Sequence, residues 1–263
     1  MKIITYSDLH LEFGDHIEPP LETEADLLIL SGDIMTFSDF SPLSRFLRKW
    51  IKPVLYVAGN HEYYNYGGSI NKSNIKFKNW LFNNHKNVKF LYDEEINIEG
   101  INFFGGTMWT NFNNADADAM EIAKRHMNDY RLIIANTGKI LEPIDTIYMH
   151  KKFVEKITKW FEKDLEGPRV VITHHAPIIK PNTRHEDSIL MPAFNSLDMP
   201  DLIKKYQPNI WIYGHTHECD DHMLGNTRII SNQLGYRQKS GEYECEGFDI
   251  EGKIFSADNS KSN

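Results

Sequence analysis

The stretch Asp26-Leu27-Leu28-Ile29-Leu30-Ser31-Gly32-Asp33 decides the fold class. Its four consecutive aliphatic residues do not alternate with polar ones, so neither face of the segment suits water. Such a run, bounded by polar residues, reads as a strand buried on both faces, the pattern of layered α/β folds. It ends in Gly-Asp and so delivers a carboxylate to the carboxyl end of a strand.

Four other short apolar runs end in a similar way. Ile3 to Tyr6 leads into Ser7-Asp8-Leu9-His10, and Pro53 to Ala58 into Gly59-Asn60-His61-Glu62. Arg169 to Thr173 leads into His174-His175-Ala176-Pro177, and Ile210-Trp211-Ile212 into Tyr213-Gly214-His215-Thr216-His217. Singly, each has an ordinary reading. Asp-x-His can be an Asp-initiated turn beside a surface histidine, and His-x-His at a strand end is as readily surface as ligand. Adjacent histidines point differently, so at most one of His174 and His175 suits a metal. The Asn60 amide oxygen is a hard neutral ligand, and His61 beside it could act on a substrate instead. In open α/β sheets, however, ligands bind outside the carboxyl ends of the strands. Imidazole is also the commonest metal-binding side chain. Five strand ends carrying ligand-type residues therefore argue for one shared site.

The rest of the chain supplies scaffold. Pro42 to Trp50 reads as a helix with Ser41 as N-cap and Leu43, Phe46, Leu47 and Trp50 as its apolar face. Ile75 to Phe82 reads as a second, with Ile75, Trp80, Leu81 and Phe82 in the core, and Ala115 to His126 as a third. Asp145 to Leu165 gives the strongest helical pattern, with Phe153, Ile157, Trp160, Phe161 and Leu165 at spacings of three and four before Gly167-Pro168. Further strands are expected at Val88 to Leu91, Ile96 to Ile98, Ile101 to Phe104, Arg228 to Ser231, Tyr243 to Ile250 and Lys253 to Phe255, with a short helix over 200–206. Residues 128–141 carry no readable pattern, and 178–199 read as a long loop. The expected organisation is one domain over 1–256 and a polar tail over 257–263.

Composition narrows the function. A chain of 263 residues, 41% hydrophobic and 25% charged, is ordinary for a soluble globular protein. Its 37 acidic residues against 29 basic ones give a net charge of -8, which disfavours binding to duplex nucleic acid. The two cysteines, Cys219 and Cys245, suit a reducing compartment rather than a disulfide scaffold. Without an apolar leader or a run of about 20 apolar residues, the chain is expected in the cytoplasm, with no membrane partner.

In order and in content, Asp8-Leu9-His10, Gly32-Asp33, Gly59-Asn60-His61-Glu62, Thr173-His174-His175 and Gly214-His215-Thr216-His217 resemble the five motifs of the calcineurin-like metallophosphoesterases. The resemblance spans nearly the whole chain and no motif position is missing. It implies two mixed β-sheets packed as a sandwich and flanked by helices, with the site at the top. It further implies that Asp8, His10, Asp33 and His217 bind one divalent metal ion and that Asp33, Asn60, His174 and His215 bind another, Asp33 bridging. His61 is then no ligand but assists the leaving group. The oxygen and imidazole donors suit Mn, Fe or Zn without choosing among them.

The expected reaction is hydrolysis of a phosphomonoester or phosphodiester by attack of a metal-bridging hydroxide. Two divalent ions facing two carboxylates and one hydroxide leave a net positive core, which suits a phosphate in an acidic protein. Two-metal sites lower the pKa of a bound water from 15.7 to near 7. A catalytically silent metal-binding scaffold and a nuclease of the same family are the alternatives. His175 is read as supporting the site, and His16, His85, His126, His150, His185 and His222 as surface or ordinary packing. Tyr63, Tyr64, Trp109, Asn111, Asn113, Arg184, His185 and Tyr236 are candidate substrate contacts. A nucleotide is one candidate substrate because the aromatics could stack on a base, although anchoring of the loops explains them equally. Oligomeric state is not readable.

Overall fold

The computed structural model describes residues 1–14, 17–64 and 68–257, apart from the side chain of Ile254. His16, positions 65–67 of the aromatic, glycine-rich loop and tail positions 258–263 lie outside the described residues. Ala257, the first residue of the expected tail, is buried, and its N–H donates to the Met1 carbonyl.

Eleven strands among the described residues form two sheets. The first takes β1 (Lys2–Tyr6), β2 (Leu27–Ser31), β3 (Val54–Val57), β4 (Val88–Leu91) and β11 (Lys253–Ser256) in the order β11-β1-β2-β3-β4. The second takes β5 (Glu94–Ile98), β6 (Ile101–Gly106), β7 (Arg169–Thr173), β8 (Ile210–Ile212), β9 (Asp220–Leu224) and β10 (Thr227–Ser231) in the order β5-β6-β7-β8-β10-β9. Inner strands pair in parallel and the antiparallel strands β11, β5 and β9 sit at edges, so both sheets are mixed as expected.

The unbroken apolar runs follow from burial on both faces. Successive side chains along a strand point to opposite sides. Ile3, Leu27, Ile29, Leu55 and Val57 meet Phe103, Val170, Ile172, Ile210 and Ile212 between the sheets. Their neighbours Ile4, Tyr6, Leu28, Leu30 and Tyr56 turn outward to pack with Leu43 and Phe46 of α1 (Ser41–Phe46) and Phe77 and Leu81 of α2 (Ile70–Asn84). On the far side, Phe104, Val171, Trp211 and Ile229 pack against Phe153, Ile157 and Trp160. Among the described residues, no helix is long and apolar enough to cross a membrane.

Several local expectations are corrected. Helix α1 ends at Phe46, and Ser41 is its first helical residue, with Asp39 accepting its N–H and its hydroxyl. Ile75 and Phe82 are 61% and 74% exposed, because Ile70, Phe77 and Leu81 form the buried stripe of α2. α3 (Phe112–Ala115) is a short turn with left-handed backbone, and α4 (Ala117–His126) begins where the Asp116 carboxylate caps the Ala119 N–H. After α5 (Asp129–Leu132), α6 (Pro143–Phe161) starts two residues before Asp145, closed by reciprocal Glu142 and Asp145 caps. Leu165 lies beyond its end but still packs on it. Two further helices are α7 (Met191–Phe194) and α8 (Met199–Tyr206). No strand spans 243–250: Gly247 has φ +83°, Glu244 turns into the site, and one bridge pairs Arg237 with Tyr243.

Candidate metal centre

All five singled-out segments end at one place. Asp8 and His10 follow β1, Asp33 follows β2, Asn60 follows β3, His174 follows β7, and His215 and His217 follow β8. The chain must turn sharply there, and Asp8, His10, Asp33, His215 and His217 all adopt left-handed backbone, with φ of 53°, 44°, 52°, 75° and 50°. Non-glycine residues seldom do so, and such strain gathers at functional sites. Two glycines allow the close approach. A Cβ on Gly32 would lie 2.3 Å from His174 Nδ1, and one on Gly59 would lie 2.1 Å from Asp33 Oδ1.

The donor atoms converge in two groups. In one, His217 Nε2 lies 3.4 Å from Asp8 Oδ1 and 3.3 Å from His10 Nε2. In the other, His174 Nε2 lies 3.3 Å from Asp33 Oδ1, 3.0 Å from Asn60 Oδ1 and 3.1 Å from His215 Nδ1. A third grouping, His10, Asp33 and His61, whose ligand atoms lie within 4.8 Å of one another, joins the two. Asp8, His10, Asp33, Asn60, His174, His215 and His217 thus all meet, with exposures between 0% and 9%.

These residues fit divalent cations on their own chemistry. Facing imidazole nitrogens at 3.1–3.3 Å direct lone pairs or hydrogens into the same space, an arrangement a shared cation satisfies. Among the described residues, His215 Nε2 is buried with no hydrogen-bond partner. The ion-pair partners of Asp8 and Asp33 among the described residues are histidines. Burial raises the Asp33 pKa, but the imidazoles of His174, His61 and His10 outweigh it and hold it well below the usual carboxylate range. Burial and the neighbouring His175 and His174 hold His215 well below the ordinary imidazole value.

A layer of carboxylates grips these groups from behind. Glu12 Oε1 lies 3.4 Å from His10 Nδ1 and 3.1 Å from His61 Nδ1, while Glu244 Oε2 lies 2.7 Å from His217 Nδ1. Glu62, fully buried, accepts from the backbone of Asp33, Ile34 and Gly59 and from the Tyr56 hydroxyl. Sequence reading missed Glu12, Glu244 and the role of Glu62. Glu12 lies two residues after His10 and Glu62 stands within a quoted motif, whereas Glu244 carries no such cue. His175 belongs to neither ligand group; its Nδ1 faces the Thr107 carbonyl and its ring packs on His215. Burial, then the neighbouring His174, lowers its pKa to about 3, so it stays neutral. His150 is ordinary packing, held between the Trp109 carbonyl and Asp198.

A cavity of about 290 Å³ opens over this cluster, lined in part by Asn60, His61, Tyr64, Arg184, His185 and Tyr236. The Tyr236 hydroxyl stands 2.8 Å from His61 Nε2. Of the other candidate contacts, Tyr63 and Trp109 are buried core residues stacked on each other. Asn111 lines a different depression and Asn113 is exposed on the left-handed turn, so none of these four lines the cavity.

A family model described as calcineurin-like phosphoesterase matches residues 1–219, which include all five strand-end segments. An uncharacterized protein, L509, of Acanthamoeba polyphaga mimivirus is 29% identical over 281 aligned positions, covering 92% of this chain and 94% of its own. Among solved structures, phosphopantetheinyl hydrolase (PptH) of Mycobacterium tuberculosis superposes with a TM-score of 0.66 over 89% of each chain, at 17% identity. That last likeness is one of fold.

Proposed function

The chain belongs to the calcineurin-like phosphoesterase family, and from that premise we propose that it is a metal-dependent hydrolase of small phosphomonoesters or phosphodiesters. Asp8, His10, Asp33 and His217 hold one divalent ion, and Asp33, Asn60, His174 and His215 hold a second, with Asp33 common to both. The observation that carries this is the pair of donor groups at the foot of one cavity, with imidazole nitrogens only 3.1–3.3 Å apart. Mn, Fe and Zn all suit these donors. Two bound divalent ions supply Lewis acidity, acidifying water and neutralising phosphate oxygens.

The chain's own residues do the rest. Glu12 accepts a hydrogen bond from His61 Nδ1–H and so turns Nε2 of the imidazolium toward the cavity, where the leaving oxygen of an ester would sit. A proton handed over at Nε2 assists departure, a role worth roughly 10²–10⁴-fold. Tyr64, Arg184 and Tyr236 border the space left for the ester's organic part. A cavity of this size takes a small ester. Nucleotides belong in a substrate panel, and the neighbour's name adds phosphopantetheinyl esters. We place the activity in one domain over residues 1–256 and in the cytoplasm.

The test is release of p-nitrophenol from mono- and bis-p-nitrophenyl phosphate by protein loaded with Mn. Metal-dependent turnover of either ester is expected. Metal binding without turnover of any panel member would instead identify a silent scaffold.

A further inference from the structure

Asp129, 2% exposed, lies at the start of α5, in the 128–141 stretch that sequence reading left blank. Its Oδ1 accepts a hydrogen from Asn60 Nδ2 at 2.9 Å and another from the Tyr64 hydroxyl. The Tyr64 oxygen in turn accepts from Asn60 Nδ2 at 3.1 Å. The two acceptors lie side by side as seen from Asn60 Nδ2, so one amide N–H is shared between them, and the one phenolic hydrogen of Tyr64 goes to Asp129.

An asparagine amide can rotate by half a turn and exchange its oxygen for its NH2 with almost no change of shape. Here the rotated amide would set its carbonyl against the Asp129 carboxylate and lose both bonds. It would also point N–H groups at the space that Asp33, His174 and His215 face. The observed orientation leaves Asn60 Oδ1 3.0 Å from His174 Nε2, on that same side. The other donor group is gripped separately, His10 by Glu12 and His217 by Glu244.

We propose that Asp129 is a positioning residue that locks the Asn60 amide with its oxygen toward one of the two cation sites. Affinity at the Asp33, Asn60, His174 and His215 site then depends on Asp129, and affinity at the Asp8, His10 and His217 site does not. This rests on the two-cation reading given above. Groups that orient metal ligands from behind typically cost 10–100-fold in affinity when removed.

The test is titration of Mn into protein stripped with a chelator, counting bound ions and following the electron paramagnetic resonance signal of a coupled Mn pair. Wild type is expected to bind two ions and show the coupled signal. Asp129→Leu is expected to bind the first ion normally and the second 10–100-fold more weakly, with the coupled signal lost. Asp129→Asn should bind both normally, because its carbonyl oxygen can accept the same two hydrogens; that rescue separates amide orientation from packing. Asn60→Ala should reproduce the Asp129→Leu defect, and the double variant should be no worse than either. Should Asp129→Leu not fold, as judged by circular dichroism, Asp129→Ala takes its place. Normal binding of both ions by Asp129→Leu, equal weakening of both, or additive loss in the double variant overturns the role of Asp129 alone. Fewer than two ions bound by wild type overturns the two-cation reading and this role with it.

Discussion

Replacing Glu62 with Leu should unhinge the site from within, because this one carboxylate closes two strand ends together. Its Oε2 accepts from the backbone of Asp33 at 3.0 Å and Gly59 at 2.7 Å. Its Oε1 accepts from the backbone of Ile34 at 2.9 Å and the Tyr56 hydroxyl at 2.6 Å. Leucine fills a similar volume but accepts nothing, so three buried N–H groups and a buried hydroxyl lose their partner. A buried donor left unsatisfied costs about 1–3 kcal/mol. Even if the Tyr56 hydroxyl rotates and the backbone relaxes, about 3 kcal/mol should remain from the three N–H groups. For a domain of this size that lowers the melting temperature by roughly 6–12 °C, at about 2–4 °C per kcal/mol. Glu62→Gln should cost less, since its oxygen can keep two of the four bonds while its NH2 meets the other two donors. Urea unfolding of the two variants beside wild type, in chelator, reads both costs. A loss below about 1 kcal/mol in Glu62→Leu would refute the reasoning, because one unmade bond alone should exceed it.

Other outcomes are expected from the same geometry. His61→Asn should keep its bound metal and lose roughly 10²–10⁴ of phosphoester turnover; full turnover in the metal-loaded variant would remove His61 from the chemistry. Glu244→Ala frees His217 Nδ1 and should weaken cation binding about 10–100-fold in competition with a chelator, and unchanged affinity would contradict its role. Burial raises the Asp198 pKa, but the hydrogen bond with His150 outweighs it and holds the carboxyl below its ordinary value. A depressed folded-state pKa gives stability that is present above the unfolded value of about 3.9 and fades as pH falls through the lower folded one. Melting curves of Asp198→Asn should therefore depend less on pH in that acid range than wild type, and an unchanged dependence would count against the pair.

The sequence was most legible where burial is two-sided. Runs such as Leu27 to Leu30 announce inner strands by themselves, and the antiparallel edge β9, Asp220-Asp221-His222-Met223-Leu224, escaped because one face is polar. The seven ligand-type residues were legible because each sits directly after such a strand. Their supports were not. Asp129 opens a four-residue helix and Glu244 lies in an irregular segment, so neither has a periodic neighbour to mark it. Apolarity alone points Ile75 and Phe82 into the core, whereas the helical phase set by Ile70, Phe77 and Leu81 puts them in solvent. The expected 243–250 strand does not form because the glycine turn at Gly247 and the reach of Glu244 toward His217 break the ladder.

Anomalous diffraction from crystals of the Mn-loaded protein tests the centre most directly. Two peaks about 3.5–4 Å apart on either side of the Asp33 carboxylate are expected, one beside Asp8, His10 and His217 and the other beside Asn60, His174 and His215. A single peak, or peaks remote from Asp33, would contradict the two-cation site.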